Sequence, residues 1–277
     1  MRSFALLIFL TVCTLTYSQS DTIFKMNGEI LPVNVTKITE STIEFVYPGE
    51  SFTNSINKSS VVEIHFKSGR KQEFSSSLNI SRVKSCLDWK TVQVSNISDE
   101  VKGLLKIENI GAKAKGNTVA SSLAKLQERT YNKLKIETAM LGGNVAYIID
   151  QHTEEGMSGW GSSKAPSVTV TGLAYTTKKA LLKEVKEGKY KTAKAYVLKV
   201  NKYSLDDYDI DTQTFDINKT NIYTENGFLK IKLNIKSIPK IKDYTIMYAD
   251  SSKIILSGIY LSNKSKKTYY NIFLDKE

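Results

Sequence analysis

Between residues 21 and 75, short runs of alternating apolar and polar residues are separated by turn signals. Residues 22–26 run into Asn27-Gly28, a pair that favours a tight hairpin because both residues tolerate positive φ. Residues 33–38 (VNVTKI) and 42–47 (TIEFVY) alternate, and Pro48-Gly49 punctuates. Val62, Ile64 and Phe66 mark one face of a further strand, and Ser68-Gly69 turns the chain into residues 70–74. Closely spaced short strands predict a small β-barrel module over 21–80. Serine-rich residues 75–81 read as a linker.

Past the linker the period changes. Residues 89–94 and 101–114 predict strands, the second interrupted near Asn109. Asn117 or Thr118 offers a helix N-cap. Val119, Leu123, Leu126, Thr130, Leu134 and Leu141 then recur at helical spacing, and Gly142-Gly143 ends the helix. Glu137 falls within this stripe, where a lone charge is unfavourable. A pairing with Lys133, or a place at the core rim, is expected for it. Residues 145–149 predict a buried strand, 151–166 a loop, and 167–175 a closing strand. The region 88–175 therefore reads as a ββαββ module with one long helix. Residues 176–188 predict a short basic linker helix, with Leu181, Leu182 and Val185 available for packing. Residues 189–277 predict an antiparallel β-sandwich or meander, from strands at 195–200, 228–235, 244–248, 254–261 and 268–274. The fold class expected is α+β, mostly β.

The first twenty residues follow neither pattern. Arg2 precedes a largely apolar run of nine residues at 4–12 (FALLIFLTV), too short to span a bilayer as a helix, which takes about 20. Thr16 with Ser18, and Ser18 with Ser20, place small residues suitably for cleavage before Gln19 or before Asp21. Residues 1–20 thus read as a signal peptide, and the expected location is secreted or periplasmic, within the cell envelope. Cys13 follows Val12 where lipidation usually wants a small residue, so a lipid anchor through Cys13 is possible but not favoured. No transmembrane span is expected in the mature chain.

The formal charge of +11 falls to +10 when Arg2 leaves with the signal peptide. A basic exported protein suits anionic envelope components, or another envelope protein, as partner. The lysines are scattered and no nucleic-acid motif is present, so no nucleic-acid partner is expected. Cys86 is the one cysteine left after cleavage, which excludes an internal disulfide and suits a buried small hydrophobe.

Residues 134–148 (LKIETAMLGGNVAYI) carry a helix-to-strand turn at Gly142, Gly143 and Asn144, and 171–175 (TGLAY) a closing strand. In these features 88–175 resembles small envelope modules of the Rcs-stress-lipoprotein, YbjQ-like and YdgH-like type. The resemblance implies a small α/β fold. It departs from the family at Gly143, where alanine is usual, and in lacking the cysteines on which the sensor lipoproteins rely. The Asn27-Gly28-Glu29 turn and the turn at Ser68-Gly69 resemble an SH3-like barrel module of exported bacterial proteins.

Candidate chemistry is sparse. His65 reads as a strand-face residue. Asp150, His152 and Glu154 cluster before Trp160, and these four are the candidate ligand-binding residues, in a long connection of the kind that often carries function. The acidic run at 206–211 lacks the glycine and final glutamate of a calcium-binding EF-hand loop. No catalytic residue, cofactor or metal site is expected. The expected function is that of an exported, non-enzymatic bacterial envelope or secreted protein of binding or accessory type. The alternatives are a lipid-anchored envelope-stress sensor, or an extracytoplasmic glycan-active hydrolase using paired carboxylates.

Overall fold

A computed structural model describes residues 20–74, 80–159, 162–201, 205–263 and 266–277. The segment read as a signal peptide, most of the serine-rich linker and Trp160 lie outside the described residues. The protein is mostly β, with several antiparallel sheets and few helices. It divides into two compact units, one holding Glu29–Ser75 with the strand before it, the other Ser76–Glu277.

In the first unit, the described strands are β1 (Asp21–Lys25), β2 (Ile30–Ile38), β3 (Thr42–Val46), β4 (Asn54–Asn57), β5 (Val61–His65) and β6 (Lys71–Glu73). They form an antiparallel sheet in the order β4-β3-β2-β1-β5-β6. The first half of β2 pairs with β1 and the second half with β3, with a bulge between Val35 and Lys37. Alternation sends Ile23, Leu31, Val33, Ile43, Phe45, Val61 and Ile64 into one core. Each such side chain contributes about 1.5–3 kcal/mol when fully buried. Asp21 is buried too, because its carboxylate accepts backbone N–H bonds from Val35 (2.8 Å) and Lys67 (2.8 Å). That latch ties the start of β1 to β2 and to the turn after β5. The polar β4 (NSIN) has no apolar alternation to announce it.

The second unit begins with a 3-10 turn over Cys86–Thr91, where the sequence suggested a strand. Ser85 and Asp88 decide this. The Ser85 hydroxyl accepts from Leu87 N, and the Asp88 carboxylate accepts from Ser85 N, which closes a capping box. Strand pairing is confined to β7 (Gln93–Ser95), which runs parallel to the later β9. A second 3-10 turn occupies Ser98–Val101, so the next strand, β8 (Leu105–Lys115), starts later than expected. Helix α1 (Leu123–Met140) also starts later, because Ser122 caps it rather than Asn117 or Thr118. Leu126, Thr130, Leu134, Ala139 and Met140 make its buried face.

The expected loop at 151–166 is largely strand. β9 (Val145–Glu154) continues through it, β10 (Met157–Gly159) and β11 (Ser162–Lys164) pair as a two-stranded ribbon, and β12 (Ser167–Thr176) returns. The sheet order is β7-β9-β12-β8, with α1 packed on one face.

Residues 176–188 contain no α-helix, only a 3-10 turn at Leu182–Glu184. Ala180 and Val185 are both buried in the C-terminal core. Five residues apart, they would fall on different sides of an α-helix but can both be buried by an irregular chain. The rest of the unit is β13 (Gly188–Lys199), β14 (Asp206–Tyr208), β15 (Thr214–Ile217), β16 (Ile222–Glu225), β17 (Phe228–Lys232), β18 (Asp243–Ala249), β19 (Lys253–Asn263) and β20 (Lys266–Lys276). They form an antiparallel sheet in the order β14-β13-β20-β19-β18-β17-β16, with β15 also on β13. Asn226 (φ 51°) and Gly227 (φ 78°) make the tight turn between β16 and β17. One face of this sheet holds Tyr244, Ile254, Leu256, Ile272 and Leu274 in a core of its own. From the other, Leu198 and Tyr269 join the core beneath α1.

Candidate functional site

The candidate residues Asp150, His152 and Glu154 lie on β9, and a bulge decides which way they face. Thr171 pairs with Asp150 but Gly172 pairs with Ile148, so Ile149 is the extra residue. Before it, Ala146 and Ile148 pack into the core beneath α1. After it, Gln151 and Thr153 lie opposite Val170 and Val168, and the Tyr131 hydroxyl of α1 donates to Gln151 (2.9 Å). The even-numbered side chains are thereby turned to the outer face. One inserted residue reverses every side chain that follows it.

The outer face is polar. Asp150, His152 and Glu154 stand opposite Thr171, Thr169 and Ser167, which in turn pair with Gly111, Lys113 and Lys115 of β8. Glu154 accepts from Ser167 Oγ (2.9 Å) and from Lys164 Nζ (3.1 Å), and His152 Nε2 lies 3.8 Å from it. The Lys164 hydrogen bond is the main reason that the Glu154 carboxyl is held below its ordinary pKa. Asp150 and His152 are exposed. The structure thus brings three of the four candidates to one face, and the fourth, Trp160, lies outside the described residues.

The turn at Gly142, Gly143 and Asn144 is built for packing. Gly142 has φ +81°, and a Cβ there would lie 3.0 Å from Met247. A Cβ on Gly143 would meet Thr138 Cγ2 at 2.7 Å. Asn144 is buried and is bonded through its amide to Thr177 Oγ1 (2.7 Å) and through its carbonyl oxygen to Thr177 N (3.2 Å).

No family model, curated protein or solved structure matches the chain.

Glu137 is buried, and its partners are Tyr269, whose hydroxyl donates to Oε1, and Gly111, whose N–H donates to Oε2 (3.1 Å). Lys133 Nζ donates to the Lys113 carbonyl (2.7 Å) and Lys267 Nζ to the Asn109 carbonyl (3.2 Å). Asn109, Gly111 and Lys113 are alternate residues of β8, the end strand of its sheet. One backbone group of each is thereby bonded to a side chain, which blunts an edge that would otherwise be open to pairing. Burial raises the Glu137 pKa, against the lowering effect of its two hydrogen bonds.

The remaining sequence candidates have structural surroundings. His65 lies on β5 with its ring 4.5 Å from that of Phe24 and Nε2 2.9 Å from Glu63. Cys86 is fully buried, its thiol pKa pushed up to about 12 by burial. Its N–H donates to Oδ1 of Asn271 (3.0 Å), another fully buried side chain. Among the described residues, no group of three or more His, Cys, Asp or Glu side chains could hold a metal ion. No described helix is long and apolar enough to cross a membrane.

Proposed function

We propose that the chain is an exported, non-enzymatic protein of the bacterial envelope, secreted or periplasmic, of binding or accessory type. Its contact surface is the outer face of the β8–β12–β9 sheet, and its partner is an anionic envelope component. The observation that carries this reading is the bulge at Ile149. It turns Asp150, His152 and Glu154 away from the core and aligns them beside Lys113, Lys115 and the Ser167–Thr169–Thr171 row. A polar strand face on which a local irregularity leaves Asp150 and His152 exposed suits recognition, since bulges commonly re-aim side chains at sites.

Two further observations support it. Glu137, the described carboxyl whose pKa is raised, is the group an acid catalyst would need. It is sealed between Gly111 and Tyr269 and serves the sheet edge. The resemblance to small envelope modules is supported by the helix–turn–strand at 134–148 and by the central place of β12 between β8 and β9. The resemblance to an SH3-like module is supported by β2, which is shared between two neighbours.

Co-sedimentation of the mature protein with anionic vesicles tests the surface. Binding should fall as salt rises, because exposed charges are screened, and K113E/K115E should weaken it. Salt-independent binding, or equal binding by K113E/K115E, would contradict the reading.

A further inference from the structure

The two ends of the sheet β7-β9-β12-β8 are finished differently. On β8, Asn109, Gly111 and Lys113 each have a backbone group bonded to a side chain. At the other end, β7 covers Val145, Ala146 and Tyr147 of β9 and no more. Past Tyr147, β12 is the one described strand that pairs with β9. Residues 149–153 are consecutively exposed, Ile149 to 60%, as a strand edge open to solvent should be.

Antiparallel alternation, in which successive residues bond to opposite sides, gives the direction of the free groups. Thr169 and Thr171 of β12 stand opposite Lys113 and Gly111, whose side-chain-bonded backbone groups point away from β12. The N–H and C=O groups of Thr169 and Thr171 therefore point to β9, at His152 and Asp150. Gln151 and Thr153 are left with N–H and C=O directed outward, and no described backbone group bonds to them there. An uncovered row of this kind is a template for another strand.

We propose that a second copy of this chain occupies this edge, β9 pairing antiparallel with its own counterpart about a two-fold axis. Outward-directed residues must then face one another. Gln151 and Thr153 allow three registers. Gln151 opposite Thr153 sets Asp150 against Glu154, and like charges directly opposite are destabilising. Thr153 opposite itself sets His152 against Glu154, which Lys164 and Ser167 already hold. Gln151 opposite itself sets Asp150 of each copy against His152 of the other. Asp150 makes no hydrogen bond or ion pair among the described residues, so this register gives it a partner. Its carboxylate accepts from the imidazole in either charge state of the ring. The bulge at Ile149 stops the ladder and the two-fold contact is closed, so the product is a dimer and not a fibre. Pairing joins the outer faces of two sheets into one, and it does not depend on the anionic partner proposed above.

Sedimentation velocity of the mature protein tests it across about 10 μM to 1 mM, where an interface below standard size shows its association. A monomer–dimer equilibrium is expected, with the Gln151 amide exchanging more slowly as concentration rises. D150K and H152E should each weaken the dimer by about tenfold, the size of one lost charge-assisted contact. The double variant D150K/H152E should restore it, because the opposed charges are then exchanged and not lost. E40Q, on the first unit, should leave it unchanged. Thermal melting of each variant shows whether it is folded. A monomer at every concentration, full dimerisation of a folded D150K variant, or a double variant as weak as either single one would overturn the proposal. Vesicle binding by a protein that stays monomeric would overturn it while leaving the proposed contact surface intact.

Discussion

Tyr269 of β20 donates its hydroxyl to Glu137 of α1, joining residues 132 positions apart inside a shared core. The same carboxyl caps the Gly111 N–H of the end strand. Removing it strands a buried hydroxyl and a backbone donor at once. Glu137→Ala is therefore expected to lower the unfolding free energy by about 2–5 kcal/mol, since each buried unsatisfied group costs about 1–3 kcal/mol. Tyr269→Phe should lose less. Denaturant unfolding of both single variants and the double variant should show non-additivity, because the two side chains act on each other.

Glu137 also gives the stability a pH dependence. Its folded pKa lies above the ordinary value of 4.5, with burial as the main cause. Its contribution is thus fully present below pH 4.5 and declines as pH rises through the raised folded value. Glu137→Gln removes this titration. The stability difference between wild type and Glu137→Gln should shift against wild type as pH rises from 4.5. A pH-independent difference would show that the carboxyl does not titrate abnormally.

Cys86 should be chemically silent while the protein is folded. Full burial and a pKa pushed up to about 12 leave almost no accessible thiolate at neutral pH. A thiol reagent should label native protein negligibly over hours and denatured protein within minutes.

Gly172 is expected to tolerate no side chain. A Cβ there would lie 2.2 Å from the backbone oxygen of Tyr147, opposite the bulge that re-aims the outer face. Gly172→Ala should cost about 1–3 kcal/mol, the range for overpacking. A thermal melt measures it. An unchanged melting temperature would mean that β9 and β12 approach less closely than described.

Much of this architecture is legible in the sequence where local patterns and local structure agree. The alternation in β1, β2, β3 and β5, the Asn226-Gly227 hairpin and the glycines ending α1 all act within a few residues. β4, β14, β15 and β16 escape detection because they are three or four residues long and draw their pairing from neighbours. Residues 151–154 look like loop because they are exposed or half-buried, so no apolar alternation marks the strand. Basic residues 176–188 suggest a helix, but burial of Ala180 and Val185 in the C-terminal core governs them instead. Glu137 stands out from its place in an apolar stripe. Its partner Tyr269 cannot be read from spacing, because the pairing is created by the fold. The bulge at Ile149 leaves no sequence mark, yet it sets the direction of Asp150, His152 and Glu154.

The proposed role depends on the chain leaving the cytosol. Fractionation of the native cells followed by N-terminal sequencing of the recovered protein tests this directly. Material from outside the cytosol is expected to begin at Gln19 or Asp21, with the Asp21 latch intact. A cytosolic species that retains Met1 would contradict the account.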